Sequence, residues 1–366
     1  VQAKDNLPLV DRLIAAGADI NKKSEWWAGG FGVLDGTEPR AAEQLIQRGA
    51  RLDVWSAADL GKLSQLEAMI VETPAIVHAR GPDGKTPLHC ARNVAVARAL
   101  LAADADLDAR DVDHESTPAQ YLVADRPDVA RLLVEQGCQT EILLAAALGD
   151  RRLAEQILHQ RPGDTEAAVD RQWFPTSAAD HIYCWTLGWY FTPHQTAHKF
   201  GHRELVRYLL EVSRPTVALI NVCLLGLVAE ARTIVRQDPE IAGKLTDEQK
   251  NFLAHAARNN NRQAVRLMLE ARMPTDAVSQ HGATPLHWAA FHGNRRMVEE
   301  LLKRSPPLEA QDADFRSTPL EWARQGCVHG WNLAGHDYPG AVDELLRAGC
   351  RVQHDWPPTG NEAVDR

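Results

Sequence analysis

The chain has 366 residues, with 40 Lys+Arg against 49 Asp+Glu and a formal net charge of -9. A single globular core stops growing near ~250–300 residues, so the length implies several domains or a repeat array; 45% hydrophobic and 24% charged residues exclude general disorder. A pI near 5.9 argues against a nucleic-acid or anionic-membrane partner, since both need a basic face, and no run of about 18 apolar residues announces a membrane span.

Along the chain, four segments repeat one motif: TPLHCA at 86–91, TPAQYL at 117–122, TPLHWA at 284–289 and TPLEWA at 318–323. Each is followed by an apolar pair and a small turn residue, as in RALLAADADLDA, RLLVEQGC, ELLKRSPPLEA and ELLRAGC. The spacing predicts helix, turn, helix and loop, at a period of about 33 residues. Thr before Pro suits a helix cap, and Pro suits the first helical position. Small Ala residues let the first helix pack closely, Gly201 and Gly293 make the turn, and Gly137 and Ser305 close the second helix. Full or partial units fall at 1–20, 25–51, 52–80, 81–110, 114–139, 140–162, 190–214, 217–244, 250–276, 282–310 and 316–351. The copies at 1–51 and 217–244 are degenerate, and the one at 86–103 is short, which affects its turn.

Two segments break the period. Residues 161–191 form an insertion rich in rings: Trp173, Phe174, Tyr183, Trp185, Trp189, Tyr190 and Phe191. Residues 327–340 (CVHGWNLAGHDYPG) split the last full unit. Such insertions map to loops on one face of a repeat array, often the binding face. The first is either an enlarged finger overhanging a groove or an apolar patch filling a gap between imperfect repeats. At 25–36, EWWAGGFGVLDG is atypical for the unit, and Trp26, Trp27, Phe31 and Asp35 are a second aromatic group. Its GGFG string is not a dinucleotide fingerprint.

These residues resemble the ankyrin repeat. TPLHWAAFHGNRRMVEELLKRSPPLEAQDADFRSTPL looks like a nearly complete family consensus, and weaker copies fall into register over almost the whole chain. The resemblance implies an all-α ankyrin-repeat solenoid of about ten or eleven units over residues 1–351, followed by a tail at 352–366. It also implies that His89 and His287 tie the turn together, and that the residue after this His faces the concave groove. That position reads Ser56, Cys90, Tyr121, Leu144, Thr196, Asn221, His255, Trp288 and Trp322. Asp83, Lys85, His281, Asp314, Phe315 and Arg316, just before each TPL, also reach the groove.

His255, Trp288 and Trp322 come from adjacent units and are expected to form one stripe. Large rings with a polar handle make good binding anchors. Tyr121, Trp185 and Trp331 complete the expected binding set. A competing chemical reading draws on the 327–340 insertion. There His329, with His255, Asp314 and Glu321, could supply acid–base groups for a small-molecule reaction; the bland alternative is a capping loop. His181, Cys184, His194 and His198 read H-x2-C-x9-H-x3-H, which is zinc-like on paper. Against it, Gly201-His202 matches the usual turn pair and His198 falls at a core Ala position. No metal or other cofactor is therefore expected. No HExxH, GxxxxGK or GxSxG is present, and Cys90 has no evident base.

The six dispersed Cys never form a CxxC pair and suggest reduced thiols and a cytoplasmic setting. The chain opens at Val1 rather than Met, read as a trimmed N-terminus without a signal peptide. The leading expectation is a non-catalytic recognition scaffold with a protein or peptide in the groove. The alternative is an enzyme or receptor for a small molecule in the same groove, covered by the two insertions. Neither nucleic acid nor membrane is an expected partner.

Overall fold

A computed structural model of the chain describes residues 6–330, 336–352, 359–361 and 364. Among these residues every regular element is a helix. The chain divides into two compact units, 1–205 and 206–366. Each is built by stacking helical pairs, which is the ankyrin solenoid architecture read from the sequence.

The pairs form where the motif places them. In the first unit they include Val54–Asp59 with Leu63–Glu72, Pro118–Leu122 with Pro127–Glu135, and Ile142–Leu148 with Arg151–Gln160. In the second they are Pro215–Leu224 with Val228–Gln237, Phe252–Arg258 with Arg262–Glu270, Pro285–Phe291 with Arg295–Leu302, and Pro319–His329 with Tyr338–Ala348. The Thr-Pro starts work as capping boxes. Thr86, Thr117, Thr192, Thr284 and Thr318 each pair reciprocally with a His, Gln or Glu three residues on. First helices are apolar all round because both sides face neighbours: every residue of Ile142–Leu148 and of Pro285–Phe291 is buried. Second helices bury one face only, as with Met297, Val298 and Leu301 of Arg295–Leu302.

Irregular copies behave as their residues dictate. The short unit at 86–103 opens with a single tight turn, Pro87–Cys90, instead of an α-helix. Its Arg92 N–H goes to the Ala58 carbonyl of the preceding unit at 3.0 Å. Residues 25–36, with their four glycines, form turns rather than a first helix, so the degenerate start contributes the single helices Leu7–Ala15 and Pro39–Gln47.

The 161–191 insertion folds back on its own unit. Tyr183 is fully buried and donates its hydroxyl proton to Glu141 Oε1 at 2.7 Å. His181 and Phe174 stack beside it, with ring centroids 4.5 Å apart. The Ile182 N–H reaches Ser116 Oγ at 3.2 Å, and His114 bonds the Asp180 carbonyl at 2.7 Å. Much of the insertion therefore fills space beside the 110–120 loop, while Trp185 remains 67% exposed. In the second unit, residues 327–329 extend the Pro319–His329 helix rather than opening a loop. Gly326 lets that helix close on its neighbour, because a β-carbon there would collide with the Phe291 carbonyl oxygen. Tyr338 seals the contact by donating toward the Phe291 and Gly326 carbonyls, at 2.9 and 2.7 Å.

Gly326→Ala should destabilise the second unit by about 1–3 kcal/mol, since the obstacle is backbone and cannot rotate away; a neutral urea-unfolding midpoint would contradict this packing. A second expectation concerns pH. Burial holds His89, His181 and His255 down at about 3, and lowers His287 and His292 as well. These rings stay neutral when folded but gain protons near pH 6.5 when unfolded, so their contribution is full above that pH and lost as pH falls toward 3. Burial also raises Glu141 to about 7, against the bonds from Tyr183, Leu143 and Leu144. Its effect is opposite: stability present below about pH 4.5 is lost as pH rises through 7. Burial raises Asp35, Asp113, Asp164 and Asp170 in the same direction as Glu141. His89, His181 and His255 are displaced further than Glu141 is, so the thermal midpoint should fall between pH 7 and pH 4, more steeply in Glu141→Gln. A flat profile would show that the rings are not held neutral.

Candidate functional site: an aromatic cleft in the second unit

The cleft is built on a clasp between consecutive repeats. His287 Nδ1 accepts the Thr284 N–H at 3.1 Å, which leaves the ring proton on Nε2. Nε2–H then donates to the Ser317 carbonyl at 3.0 Å and pins the next loop. Asp312 organises that loop. Its Oδ1 accepts the N–H groups of Asp314 and Phe315, at 3.0 and 2.7 Å. Its Oδ2 accepts the Ser317 N–H at 2.9 Å and the Trp322 indole N–H at 3.0 Å. Burial would raise the Asp312 carboxyl, but these four donors outweigh it and hold the group below its ordinary range.

Held this way, Trp322 lies edge-on to Trp288, with ring centroids 4.8 Å apart. The Trp288 indole N–H donates to Ser279 Oγ at 2.7 Å, and the Arg258 guanidinium sits 5.5 Å from its ring centroid. Phe291 packs against both indoles. His281, in left-handed backbone conformation, bonds Asp314 Oδ2 through Nδ1 at 2.6 Å and lies 5.4 Å from the ring of Phe315. These groups border a half-open cleft of 580 Å³, whose described lining also includes Glu321, Arg324, Gln325 and His329. The volume suits a small ligand or one large side chain.

The structure revises the expected site in several respects. Trp288 and Trp322 are 1% and 6% exposed, so they are the walls of a cleft rather than protruding anchors. Ser56, Leu144, Thr196 and Asn221, at the equivalent position, are buried as well. The reason is shared: first helices pack shoulder to shoulder, and this position faces the neighbouring helix. His255 is half-buried, edge-on to Phe252 at 5.3 Å, and is absent from the cleft's described lining. Its low pKa leaves it a poor acid or base near neutrality. Glu321 is committed as a cap, its Oε2 accepting the Thr318 N–H at 2.6 Å. Asp314 borders the cleft through His281, and exposed His329 lines it at the helix end. Trp331 lies outside the described residues.

Tyr121 and Trp185 belong to the first unit. Tyr121 is half-buried and donates its hydroxyl proton to Asp111 Oδ2 at 2.9 Å. It borders a smaller cavity of 270 Å³ together with Phe31, Lys85 and Cys90. Burial pushes the Cys90 thiol up to about 12, so it is not a ready nucleophile. The zinc-like quartet does not assemble as a ligand set among the described residues. His181 is engaged by Gln120 and by the Tyr183 N–H, whereas His198 is exposed on Pro193–Lys199.

Sequence reasoning had placed His281 and Phe315 among groove residues but missed Asp312. A signal for it exists. Residues 111–118 read DVDHESTP and 312–319 read DADFRSTP, with the loop-organising Asp first in both. Asp111 does in the first unit what Asp312 does in the second, accepting the His114 and Ser116 N–H groups and the Tyr121 hydroxyl at 2.8, 2.7 and 2.9 Å.

The family described as "Ankyrin repeats (3 copies)" matches residues 194–316, and that described as "Ankyrin repeat" matches residues 83–112. Delta-latroinsectotoxin-Lt1a of Latrodectus tredecimguttatus is 29% identical over 121 residues, which are 33% of this chain and 9% of that protein. The chain thus matches only a small part of that relative's length. The human ASB11 ankyrin repeat domain is 17% identical, with a TM-score of 0.32 over 84% of this chain and 100% of its own. The capped Thr-Pro helices, the His clasp and the two family matches together make this chain an ankyrin-repeat protein.

Proposed function

We propose that the chain is a non-catalytic recognition module whose second-unit cleft takes an aromatic or aliphatic side chain from a protein or peptide partner. Ankyrin repeats generally mediate protein–protein interaction. The observation that carries the reading is the cleft itself: a preformed aromatic recess of 580 Å³ with Phe315, 64% exposed, at its edge. Buried indoles whose N–H groups already have partners cannot rearrange cheaply, so the recess is organised before a ligand arrives. An inserted side chain would lose water on several sides, which is the setting in which a single anchor dominates binding. Mixed charges at the rim, Glu321 and Arg324 among them, would orient the rest of the segment.

A second reading, a receptor or enzyme for a small molecule, is favoured by one observation. The His281–Asp314 pair beside the cleft is a carboxylate-oriented imidazole at 2.6 Å, the kind of group that exchanges protons with a bound molecule. We further propose that residues 1–351 act as one array with a short tail, in a cytoplasmic setting. The absence of any disulfide among the six cysteines supports the latter. No helix among the described residues is long and apolar enough to cross a membrane.

The test is comparative affinity enrichment followed by binding measurements on the captured partner. Gln325→Trp should fill the exposed rim of the cleft, and Phe315→Ser should strip its edge, without touching the buried core. Each should weaken binding at least ten-fold, on the order of 1–3 kcal/mol, while leaving the thermal midpoint unchanged. Partner binding equal to wild type in both variants would reject the cleft as the site. Loss of a captured metabolite rather than a protein in Gln325→Trp would move the assignment to the small-molecule reading.

A further inference from the structure

We propose that Asp83, Asp113 and His114 form a divalent-cation site on the first unit, separate from the aromatic cleft. The three residues sit on the loop tips of two consecutive repeats. One ligand atom from each lies within 4.8 Å of the others. The loops are fixed to each other by backbone bonds, with the Val112 and Asp113 N–H groups donating to the Asp83 carbonyl at 2.9 and 3.1 Å. The arrangement is therefore set before any ion binds.

Two features of these side chains call for a cation. Asp113 is only 6% exposed, and among the described residues its carboxylate accepts no hydrogen bond. Buried carboxylates are ordinarily paired, hydrogen-bonded or bound to metal. His114 Nδ1 bonds the Asp180 carbonyl at 2.7 Å, so that nitrogen carries the proton. This turns Nε2 toward Asp113, 3.7 Å from Oδ2. In a neutral ring, Nε2 is then a lone pair facing an anion, which is unfavourable with nothing between them. A backbone carbonyl holding the distal ring nitrogen is the usual outer support of a metal-binding His.

The second unit supplies an internal comparison. Asp83 and Asp113 occupy the same loop positions as His281 and Asp314, in GPDGKTP and DVDHESTP against SQHGATP and DADFRSTP. There the pair is complementary, and the two side chains meet at 2.6 Å. In the first unit the same positions carry two carboxylates, so the His–Asp bond is replaced by like charges. Lys85 partly compensates: its Nζ stands 3.4 Å from Asp83 Oδ2 and also over the Tyr121 and Phe31 rings, at 5.6 and 5.8 Å. One ammonium against Asp83, Asp111 and Asp113 leaves the cluster net negative. Two carboxylates and one imidazole are a mixed hard and borderline donor set, which suits Zn2+ first and Mn2+ second.

The test uses the untagged full chain, stripped with chelator and titrated with Zn2+ by calorimetry. With 15 His and six Cys in the chain, weak background binding is expected, so the variants decide. One Zn2+ should bind at micromolar concentration or tighter. That event should weaken at least ten-fold in both Asp113→Asn and His114→Gln, and stay unchanged in His198→Ala, with circular dichroism confirming that each variant is folded. Uptake equal to wild type in Asp113→Asn and His114→Gln would overturn the assignment. So would a chain that takes up no Zn2+ and instead shows, by NMR titration, a His114 imidazolium paired with Asp113.

Discussion

A neutral, buried imidazole bridging two repeats is the interaction on which the rest of this molecule depends. His287 accepts from its own helix start and donates to the Ser317 carbonyl of the next loop, and His89 makes the same bridge to the Ser116 carbonyl. A charged ring could not play this role, because its Nδ1 would no longer accept the Thr N–H. Burial enforces the neutral form. Once a loop is pinned, an Asp at its head gathers the loop's N–H groups and offers its carboxylate as acceptor to the aromatic residue of the following helix. Trp322 and Tyr121 are held in this way. Fold and site thus share one set of hydrogen bonds, and the cleft is as rigid as the stack that carries it.

The repeat chemistry was legible because each step has a local physical cause. Thr-Pro starts a helix, the residue three on closes the cap, and Ala-rich first helices need close neighbours on both sides. Less legible was the direction of the position after the motif His. Trp288 and Trp322 look like surface anchors in a linear reading, since indoles have a polar edge suited to water. In the folded chain that edge is already taken by Ser279 and Asp312, which lie in the loop before each helix, outside the helical periodicity. The 161–191 segment was ambiguous for a similar reason. Its ring content fits a binding finger and a core filler equally, and only Glu141, about forty residues upstream, reveals that Tyr183 points inward. The extension of Pro319–His329 past Gly326 hinges on a close helix–helix contact that no local rule encodes.

Repetition also makes differences between copies informative. The two D-x-D-x-x-S-T-P loops share their backbone bonding, so a change of side chain at one position reads directly as a change of chemistry. Where the second unit sets His281 against Asp314, the first sets Asp83 against Asp113. Where the second exposes Phe315 at the edge of an aromatic recess, the first turns His114 toward a carboxylate. A single scaffold thereby offers an apolar recess in one unit and a charged loop cluster in the other.

The recess walled by Trp288 and Trp322 is the place where we propose that this protein recognises another molecule. The most direct measurement is 19F NMR of the chain labelled with 5-fluorotryptophan, with resonances assigned by single Trp→Phe variants, during titration with a panel of N-acetyl amino-acid amides. Aromatic and aliphatic members should shift the Trp322 resonance in a saturable manner while those of Trp26, Trp27 and Trp185 stay in place. Saturable shifts at those exposed rings with Trp322 unmoved would contradict that proposal.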